Sequence, residues 1–258
     1  MTAGLAKASP ATAEPATAKP ATAKPATAKS ATAGPAAAAF IRAHTKLIPV
    51  PLVPEIRLHV AADAFELWQR TEQRADREQL PPPFWGFPWA GGQALARYLL
   101  DEPGAVRGRA VLDIASGSGL VAIAAALAGA AAVTASDVDS LAAAAIELNS
   151  AANGVRLAAV VGDVLAPASG PGGDQPGGAA WGAEVVLAGD AFYERSLAGR
   201  LLPLLDHARA HGALVLVGDP GRAYLPRERF RPVARYRVPV SRALEDADVK
   251  DATVWRLR

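Results

Sequence analysis

The sequence has no cysteine, one methionine and only four histidines. Without cysteine, the chain cannot form disulfides, thiolate zinc sites or a cysteine nucleophile, which is compatible with a reducing cytoplasm. With no HExxH motif, we expect no metal site. No segment approaches the roughly 18 large apolar residues that a membrane-spanning helix needs, so we expect no membrane partner.

Positive charge is concentrated at the N terminus. The net charge of the whole chain is +2, and residues 1–38 carry four lysines against one glutamate, a net of +3. Residues 39–258 therefore have a net charge of 2 − 3 = −1. The calculated pI of about 9.0 thus reflects the tail, and we expect no nucleic-acid partner for the remainder.

Residues 11–35 repeat a five-residue unit, ATAEP, ATAKP, ATAKP, ATAKS and ATAGP. Such a segment has no large apolar side chain with which to bury a core, so residues 1–38 are predicted to be a disordered low-complexity tail. It has no apolar stretch typical of a signal peptide, and we expect a cytoplasmic protein. Residues 39–258 form the predicted domain, with an N-terminal cap and helices over 39–100 and a sheet core over 110–258.

Strand-like and helix-like segments alternate through most of this domain. The predicted strands cover residues 110–114, 132–136, 157–161, 184–188, 213–218, 230–238 and 251–256. The predicted helices cover residues 62–74, 92–100, 120–128, 141–153 and 196–207, and residues 169–182 form a predicted loop. The alternation predicts an α/β fold, a Rossmann-like doubly wound seven-strand sheet, mostly parallel with a C-terminal antiparallel hairpin.

A glycine loop follows the first strand of this sheet. Gly117 and Gly119 would let the backbone turn sharply and approach a ligand, and the next helix would present free N–H groups. The segment from Gly117 to Ala122 also matches the dinucleotide fingerprint GxGxxG/A. The loop alone therefore leaves both a nicotinamide cofactor and S-adenosylmethionine open.

Three aspartates stand at the ends of three successive predicted strands. Asp113 precedes the glycine loop, Asp137 lies 18 residues beyond Gly119, and Asp163 closes the third strand. A carboxylate at Asp137 can accept hydrogen bonds from ribose hydroxyls, and Asp163 can accept one from the adenine amino group. Three negative charges around one crevice favour an adenosine cofactor with positive charge, such as S-adenosylmethionine, over a pyrophosphate.

Five blocks resemble those of a known family. The chain resembles the class I (seven-β-strand) S-adenosylmethionine-dependent methyltransferases and, within them, the electron-transfer-flavoprotein β-subunit lysine methyltransferases and their bacterial relatives. The resemblance covers about residues 50–258 and departs from the usual pattern at Ala115, where many members have glycine. The blocks are FWGFPWAGGQAL (84–95), DIASGSG (113–119), ASDVD (135–139) with LN (148–149), GDAFY (189–193) and GDPGR (218–222).

The resemblance implies a role for each matching residue. Asp190 and Tyr193, in a D-x-x-Y signature, are expected to be catalytic, with Asp190 receiving the lysine ammonium and Tyr193 offering its hydroxyl or ring. Trp85 and Phe192 are expected to bind substrate. The expected cofactor-binding residues are Trp89, Gln93, Asp113, Ser116, Gly117, Gly119, Asp137, Val138 and Asp163.

The function implied by the resemblance is S-adenosylmethionine-dependent protein-lysine N-methylation, with the electron transfer flavoprotein β subunit as substrate and a monomeric enzyme. One alternative is a methyltransferase for a ribosomal protein or a small molecule, which would have the same fold. Two remoter alternatives are an NAD(P)-dependent oxidoreductase, based on the glycine fingerprint alone, and a cofactor-binding scaffold that has lost its chemistry.

Overall fold

The computed structural model describes residues 34–76, 78–166 and 182–258. Most of the predicted tail and nearly all of the predicted loop 169–182 lie outside these ranges. No helix within the described ranges is long and apolar enough to cross a membrane.

The N-terminal part of the described chain holds two helices and a hairpin. They are α1 (Pro35–His44), β1 (Lys46–Val50), β2 (Val53–Val60) and α2 (Ala64–Ala75). The boundary predicted at residue 39 falls inside α1, where a proline at the first position and a run of alanines favour helix. The β1–β2 hairpin was not predicted. The structure shows that the two strands pair antiparallel and that Ile56 and Leu58 of β2 are buried in the core.

The remaining elements follow the predicted alternation closely. They are α3 (Ala90–Asp101), β3 (Ala110–Ile114), α4 (Leu120–Leu127), β4 (Ala132–Asp137), α5 (Ser140–Ala152), β5 (Ala158–Val161), β6 (Val185–Gly189), α6 (Arg195–Ala210), β7 (Leu214–Asp219), β8 (Phe230–Pro239), α7 (Arg242–Glu245) and β9 (Val249–Leu257).

Seven strands form one sheet in the order β5-β4-β3-β6-β7-β9-β8. The first five are parallel, and β9 runs antiparallel to both of its neighbours. The predicted α/β sheet with a C-terminal antiparallel hairpin is therefore confirmed, with β9 inside the sheet and β8 at its edge. Because the strand order reverses between β3 and β6, a crevice is expected there at the carboxyl ends of the strands.

Helix α3 packs unusually close to the ends of β6 and β7. Gly91 and Gly92 on the helix face Gly189 on β6 and Gly218 on β7. A Cβ atom on Gly218 would lie 2.0 Å from the Gly91 carbonyl oxygen, and one on Gly189 would lie 2.9 Å from the Gly92 Cα. At Gly91, Gly189 and Gly218 only glycine permits this approach, so these three residues set the position of α3 relative to the sheet.

We predict that Gly218→Ala lowers the free energy of unfolding by about 3 kcal/mol or more, because its methyl group meets rigid backbone. Chemical denaturation measures the change. The matched control is Gly199→Ala on α6, where the added Cβ meets nothing within 4 Å. This control is expected to stabilise the helix by about 0.5–1 kcal/mol. Equal stability of the two variants would contradict the close packing of α3.

Candidate active site

The glycine loop between β3 and α4 has three residues in the left-handed region. Ala115, Gly117 and Gly119 have φ values of 52°, 53° and 82°. Gly119 is the N-cap of α4, and a Cβ there would lie 3.2 Å from Ile146 Cγ1. Ala115 occupies a conformation that costs a non-glycine residue about 1–2 kcal/mol. The turn therefore stores strain at the position where the resemblance departs from glycine.

Asp113 lies beneath this loop and is only 1% exposed. Its Oδ2 accepts a hydrogen bond from Ser116 Oγ at 2.5 Å, while Oδ1 is buried and has no hydrogen-bond partner among the described residues. Burial raises the pKa of Asp113 to about 7, and the nearby charge of Asp137 adds to the effect, although the Ser116 hydroxyl opposes it. An unpartnered buried carboxylate oxygen is costly and suggests a missing donor from a ligand.

Asp137 ends β4 next to the same loop. Its Oδ2 accepts the Gly117 N–H at 2.8 Å, and its Oδ1 accepts the Asp139 N–H at 3.0 Å. Burial raises the pKa of Asp137. The next residue, Val138, is 69% exposed and presents an apolar side chain beside this carboxylate. The structure thus brings Asp113, Asp137 and the glycine loop together as predicted.

Asp163 is placed differently, on an exposed loop after β5. Its Oδ1 accepts the Leu165 N–H at 3.0 Å, and its Oδ2 forms an ion pair with Arg200 of α6. The partner Arg200 was not foreseen, since nothing in the local sequence links positions 163 and 200. The predicted contact of Asp163 with adenine stays a prediction, and Arg200 would share that carboxylate.

Asn149 on α5 supports the glycine loop from below, a role that sequence reasoning missed. It is fully buried, and its Nδ2 donates to the Ser118 carbonyl oxygen at 2.8 Å while its Oδ1 accepts the His59 N–H at 2.8 Å. One side chain therefore joins the loop to β2. Asn149 belongs to the LN pair of the third block of the resemblance, but the sequence did not indicate which groups its side-chain amide contacts.

Asp190 follows β6 and is buried at the N terminus of α3. Its side chain is 7% exposed and its φ is 57°. The Oδ2 atom accepts the backbone N–H of Gly91 in a short bond and that of Gly92 at 3.3 Å. Asp190 therefore satisfies donors that the first turn of a helix cannot satisfy itself, and its negative charge suits the positive end of the helix dipole.

A buried charge network holds the other oxygen of Asp190. Arg222 Nε donates to Asp190 Oδ1 at 2.8 Å, and Arg222 also contacts Glu245 at 3.2 Å. Glu245 in turn pairs with Lys250 at 2.8 Å. Burial raises the pKa of Asp190 to about 6, and the charge of Glu245 adds to this, although Arg222 opposes it. Arg222 was part of the GDPGR block in the sequence analysis, but its contact with Asp190, 32 residues away, was not predicted.

Aromatic rings form an accessible cluster beside the glycine loop. Tyr193 is 42% exposed, and its ring centroid lies 5.1 Å from that of Phe84. Trp89 donates its indole N–H to the Phe84 carbonyl oxygen at 2.9 Å, and the two rings meet edge-on. A Cβ on Gly117 would lie 3.8 Å from the same Phe84 oxygen, so the cluster borders the loop. Phe84 was not among the predicted site residues.

The two predicted substrate residues are buried, contrary to expectation. Trp85 is 1% exposed, and Phe192 is 0% exposed and packs edge-on against Phe230. Both side chains fill the core, and neither lines an accessible surface in this structure. Burial in the two core clusters turns their rings away from solvent, whereas their neighbours Phe84 and Tyr193 remain accessible.

Gln93 is also placed away from the predicted cofactor lip. It is 1% exposed on α3, and its amide is used within the protein. Its Oε1 accepts the Leu52 N–H at 3.1 Å, and its Nε2 donates to the carbonyl oxygens of Pro88 at 2.8 Å and Pro239 at 3.4 Å. Gln93 thus joins α3 to two distant segments, at Leu52 and Pro239, and to Pro88 just before the helix.

The histidines were expected to form no metal site, yet His207 and His211 lie one turn apart on α6 with an HxxxH spacing. Their ring centroids are 3.9 Å apart. Within the part of the chain that the structure describes, no group of three or more histidine, aspartate or glutamate side chains is arranged to hold a metal ion.

Comparison with known proteins identifies relatives across most of the chain. The chain is 36% identical over 223 residues to the "Electron transfer flavoprotein beta subunit lysine methyltransferase" of Xenopus laevis, covering 84% of this chain and 85% of the relative. The protein of the same name from Mus musculus is 35% identical over 210 residues, 79% of this chain and 77% of the relative. The human protein of that name is 34% identical over 224 residues, 84% and 80% of the two chains.

Two further comparisons find methyltransferases over part of the chain. The profile of the family "Ribosomal protein L11 methyltransferase (PrmA)" matches residues 94–173. A crystal structure of ribosomal protein L11 methylase from Lactobacillus delbrueckii subsp. bulgaricus is similar at 22% identity and a TM-score of 0.40, covering 64% of this chain and 77% of that chain.

The strand order, the glycine loop and the acids at the strand ends define a class I methyltransferase. Within that class, the chain belongs to the family of electron transfer flavoprotein β-subunit lysine methyltransferases.

The residues around the glycine loop fit S-adenosylmethionine. The unpartnered Oδ1 of Asp113 can accept a hydrogen bond from an ammonium group, and Asp137 stands where ribose hydroxyls are bound in such sheets. The buried groups at the loop are carboxylates, which suits a ligand with positive charge.

The raised pKa of Asp113 predicts a pH dependence of stability. Because the folded protein binds this proton more tightly than the unfolded chain, the contribution to stability is fully present below about pH 4 and is lost as the pH rises through about 7. We therefore expect Asp113→Asn to flatten the fall in unfolding free energy of the cofactor-free protein between pH 5 and pH 8. Urea denaturation across this range measures it, with the exposed Asp251→Asn as control. Parallel profiles for the wild type and Asp113→Asn would contradict the assignment.

Proposed function

We propose that this chain transfers a methyl group from S-adenosylmethionine to lysine side chains of the electron transfer flavoprotein β subunit. The observation that carries the proposal is the 36% identity to a lysine methyltransferase of that name across 84% of the chain. This match extends well beyond the part of the sheet that would bind the cofactor. It therefore supports the identity of the acceptor as well as that of the cofactor.

The residues near the glycine loop would hold the cofactor. Asp113 would accept from the ammonium group, Gly117 and Gly119 would give the backbone room, and Asp137 would bind the ribose. Ser116 would support Asp113, while Val138 would cover one face of the adenine. When bound, S-adenosylmethionine supplies a methyl group on a positively charged sulfur that a neutral amine can attack.

Tyr193 is the proposed residue in contact with the acceptor lysine. A free lysine has a pKa of about 10.4, so its amine must lose a proton before it can attack. Burial raises the pKa of Tyr193, with further contributions from Glu194 and Asp137, so its phenol stays protonated at neutral pH and can hydrogen-bond the amine. The rings of Tyr193, Phe84 and Trp89 offer an aromatic wall for a cationic methylated product.

Asp190 is proposed to position this site. Its two oxygens already face four donors: the amides of Gly91 and Gly92 and two nitrogens of Arg222. A carboxylate offers about four lone-pair positions, which leaves little capacity for a direct bond to lysine. We therefore propose that Asp190 fixes the loop that presents Tyr193 and contributes negative charge, rather than receiving the ammonium itself.

A ribosomal protein substrate is the second candidate, favoured by the family profile over residues 94–173. That segment covers the cofactor half of the sheet, which methyltransferases for many acceptors share, so it bears less on the acceptor. We further propose that the enzyme works as a cytoplasmic monomer without a nucleic-acid or membrane partner. The net charge of −1 over residues 39–258 supports the lack of a nucleic-acid partner.

The substrate is tested by incubating the purified enzyme with methyl-labelled S-adenosylmethionine and, in separate reactions, with electron transfer flavoprotein or ribosomal proteins from the same host. We expect label on lysines of the flavoprotein β subunit, located by mass spectrometry. Heat-unfolded enzyme is the control. Label on a ribosomal protein with none on the flavoprotein would overturn the proposed substrate while leaving the class intact.

The roles of Tyr193 and Asp190 are separable by kinetics. We expect Tyr193→Phe to lower kcat about tenfold or more, since it removes one positioned hydrogen bond, while cofactor affinity changes less than about twofold. The control is Tyr224→Phe, a tyrosine of similar exposure at 37% that lies against Arg195.

We expect Asp190→Asn to lower kcat and to destabilise the fold, because it removes a charge from the buried pair with Arg222. Methyl-transfer assays, cofactor titration and thermal denaturation measure these effects. Full activity of Tyr193→Phe, or loss of kcat in Asp190→Asn with stability unchanged, would reverse the two roles.

A further inference from the structure

A basic cleft lies at the amino ends of the strands, at the edge of the sheet opposite the glycine loop. It has a volume of about 430 Å³, and its lining includes four arginines from four different elements. Arg109 precedes β3, Arg209 lies in the last turn of α6, Arg231 is on β8 and Arg256 is on β9. Chain segments that are far apart in sequence therefore bring guanidinium groups to one concave place.

The four arginines have no acidic partner within ion-pair distance in the part of the chain that the structure describes. Arg109 donates to the Ala105 carbonyl oxygen at 3.4 Å, and no side-chain hydrogen bond of the other three is found among the described residues. Glu102 is the one acidic residue that lines the cleft. The formal charge of the lining is therefore 4 − 1 = +3.

Two of these arginines oppose each other directly. Arg231 and Arg256 are partners in the β8–β9 ladder. Side chains at such positions have Cβ atoms about 4.5–5.5 Å apart, and like charges there are destabilising. The same ladder pairs Arg237 with Asp251, an opposite-charge arrangement. The same two strands therefore hold one like-charge pair and one opposite-charge pair, and the like-charge pair is the one that lines the cleft.

We propose that this cleft binds a phosphate-bearing small molecule, a site distinct from the methyl-transfer site. Guanidinium groups bind phosphate through paired N–H bonds, and convergent arginines would neutralise its charge. A volume of a few hundred Å³ matches a small-molecule site. Tyr98 adds a ring and a hydroxyl to the lining. An anion between Arg231 and Arg256 would also relieve their repulsion.

The size of the cleft favours this ligand class over an extended acidic segment of a protein. An extended chain advances about 3.3 Å per residue, so a cleft of this volume would hold only a few residues. The cleft also lies at the sheet edge opposite Tyr193 and Asp113, so its ligand would not compete with the acceptor lysine or the cofactor.

The experiment measures binding of pyrophosphate to the full-length protein by calorimetry and thermal shift at 0.15 M salt, where exposed charges are largely screened. Inorganic phosphate, ATP and citrate are measured in parallel, so that phosphate chemistry is compared with a carboxylate of similar charge. The variants are Arg231→Gln combined with Arg256→Gln, and Arg235→Gln. Arg235 is an exposed arginine on the same strand outside the cleft and serves as the matched control.

We expect pyrophosphate or ATP to raise the Tm of the wild type and of Arg235→Gln, and we expect the double variant to bind at least about tenfold more weakly. Without ligand, the single variant Arg231→Gln should have a Tm equal to or above that of the wild type, because it removes a like-charge pair. The Tm of the double variant without ligand is measured in the same way, and a value near that of the wild type shows that weak binding is not caused by unfolding.

Three results would overturn the proposal. Pyrophosphate and ATP could both leave the wild type unchanged, Arg235→Gln could lose as much binding as the double variant, or citrate could bind as tightly as pyrophosphate. No effect of pyrophosphate and ATP would mean that the cleft does not bind phosphate. Equal loss in Arg235→Gln would mean that binding depends on general surface charge, and equal binding of citrate would mean that the cleft does not prefer phosphate over carboxylate. None of these results bears on methyl transfer, which is assayed separately.

Discussion

The close approach of helix α3 to the ends of β6 and β7 is the constraint on which the candidate site depends. Gly91, Gly189 and Gly218 permit backbone contact there, and the Asp190 carboxylate accepts the backbone N–H groups of Gly91 and Gly92. Arg222 holds the same carboxylate from the other side. Tyr193 follows three residues after Asp190, so the position of the accessible aromatic cluster is set by how α3 docks on the sheet.

Carboxylates are held at the crevice under conditions that favour their protonated forms. Burial raises the pKa of Asp113, Asp137 and Asp190. In the cofactor-free protein, ionisation of these buried carboxyl groups therefore lowers stability. The left-handed conformation of Ala115 adds backbone strain in the same loop. Strain and buried charge at one place are typical of a binding site whose ligand supplies the compensating contacts. A cationic adenosine cofactor would do so at Asp113, while Arg222 already compensates Asp190 within the protein.

Sequence reasoning reached the sheet, the glycine loop and the acids because each is encoded locally. The order of strands and helices, the left-handed glycines and the positions of Asp113 and Asp137 follow from patterns within a few tens of residues. The partners of Asp190 lie 32 and 99 residues away, and only the fold brings them together. The same holds for two contacts of Gln93, to Leu52 and Pro239, which lie 41 and 146 residues away. The burial of Trp85 and Phe192 was not foreseen, because an aromatic residue in a motif can face either the core or a ligand and the sequence does not distinguish the two.

Asp190, held by Arg222, caps α3 and thereby fixes the position of the aromatic cluster of Tyr193, Phe84 and Trp89. Hydrogen exchange of the Gly91 and Gly92 amides in the wild type and in Arg222→Gln tests it most directly. Both amides should be strongly protected in the wild type, and the variant should lose protection at these two positions and along residues 218–222 while the β3–β4 core remains protected. Equal, rapid exchange of the two amides in the wild type, or protection unchanged by the variant, would contradict the account.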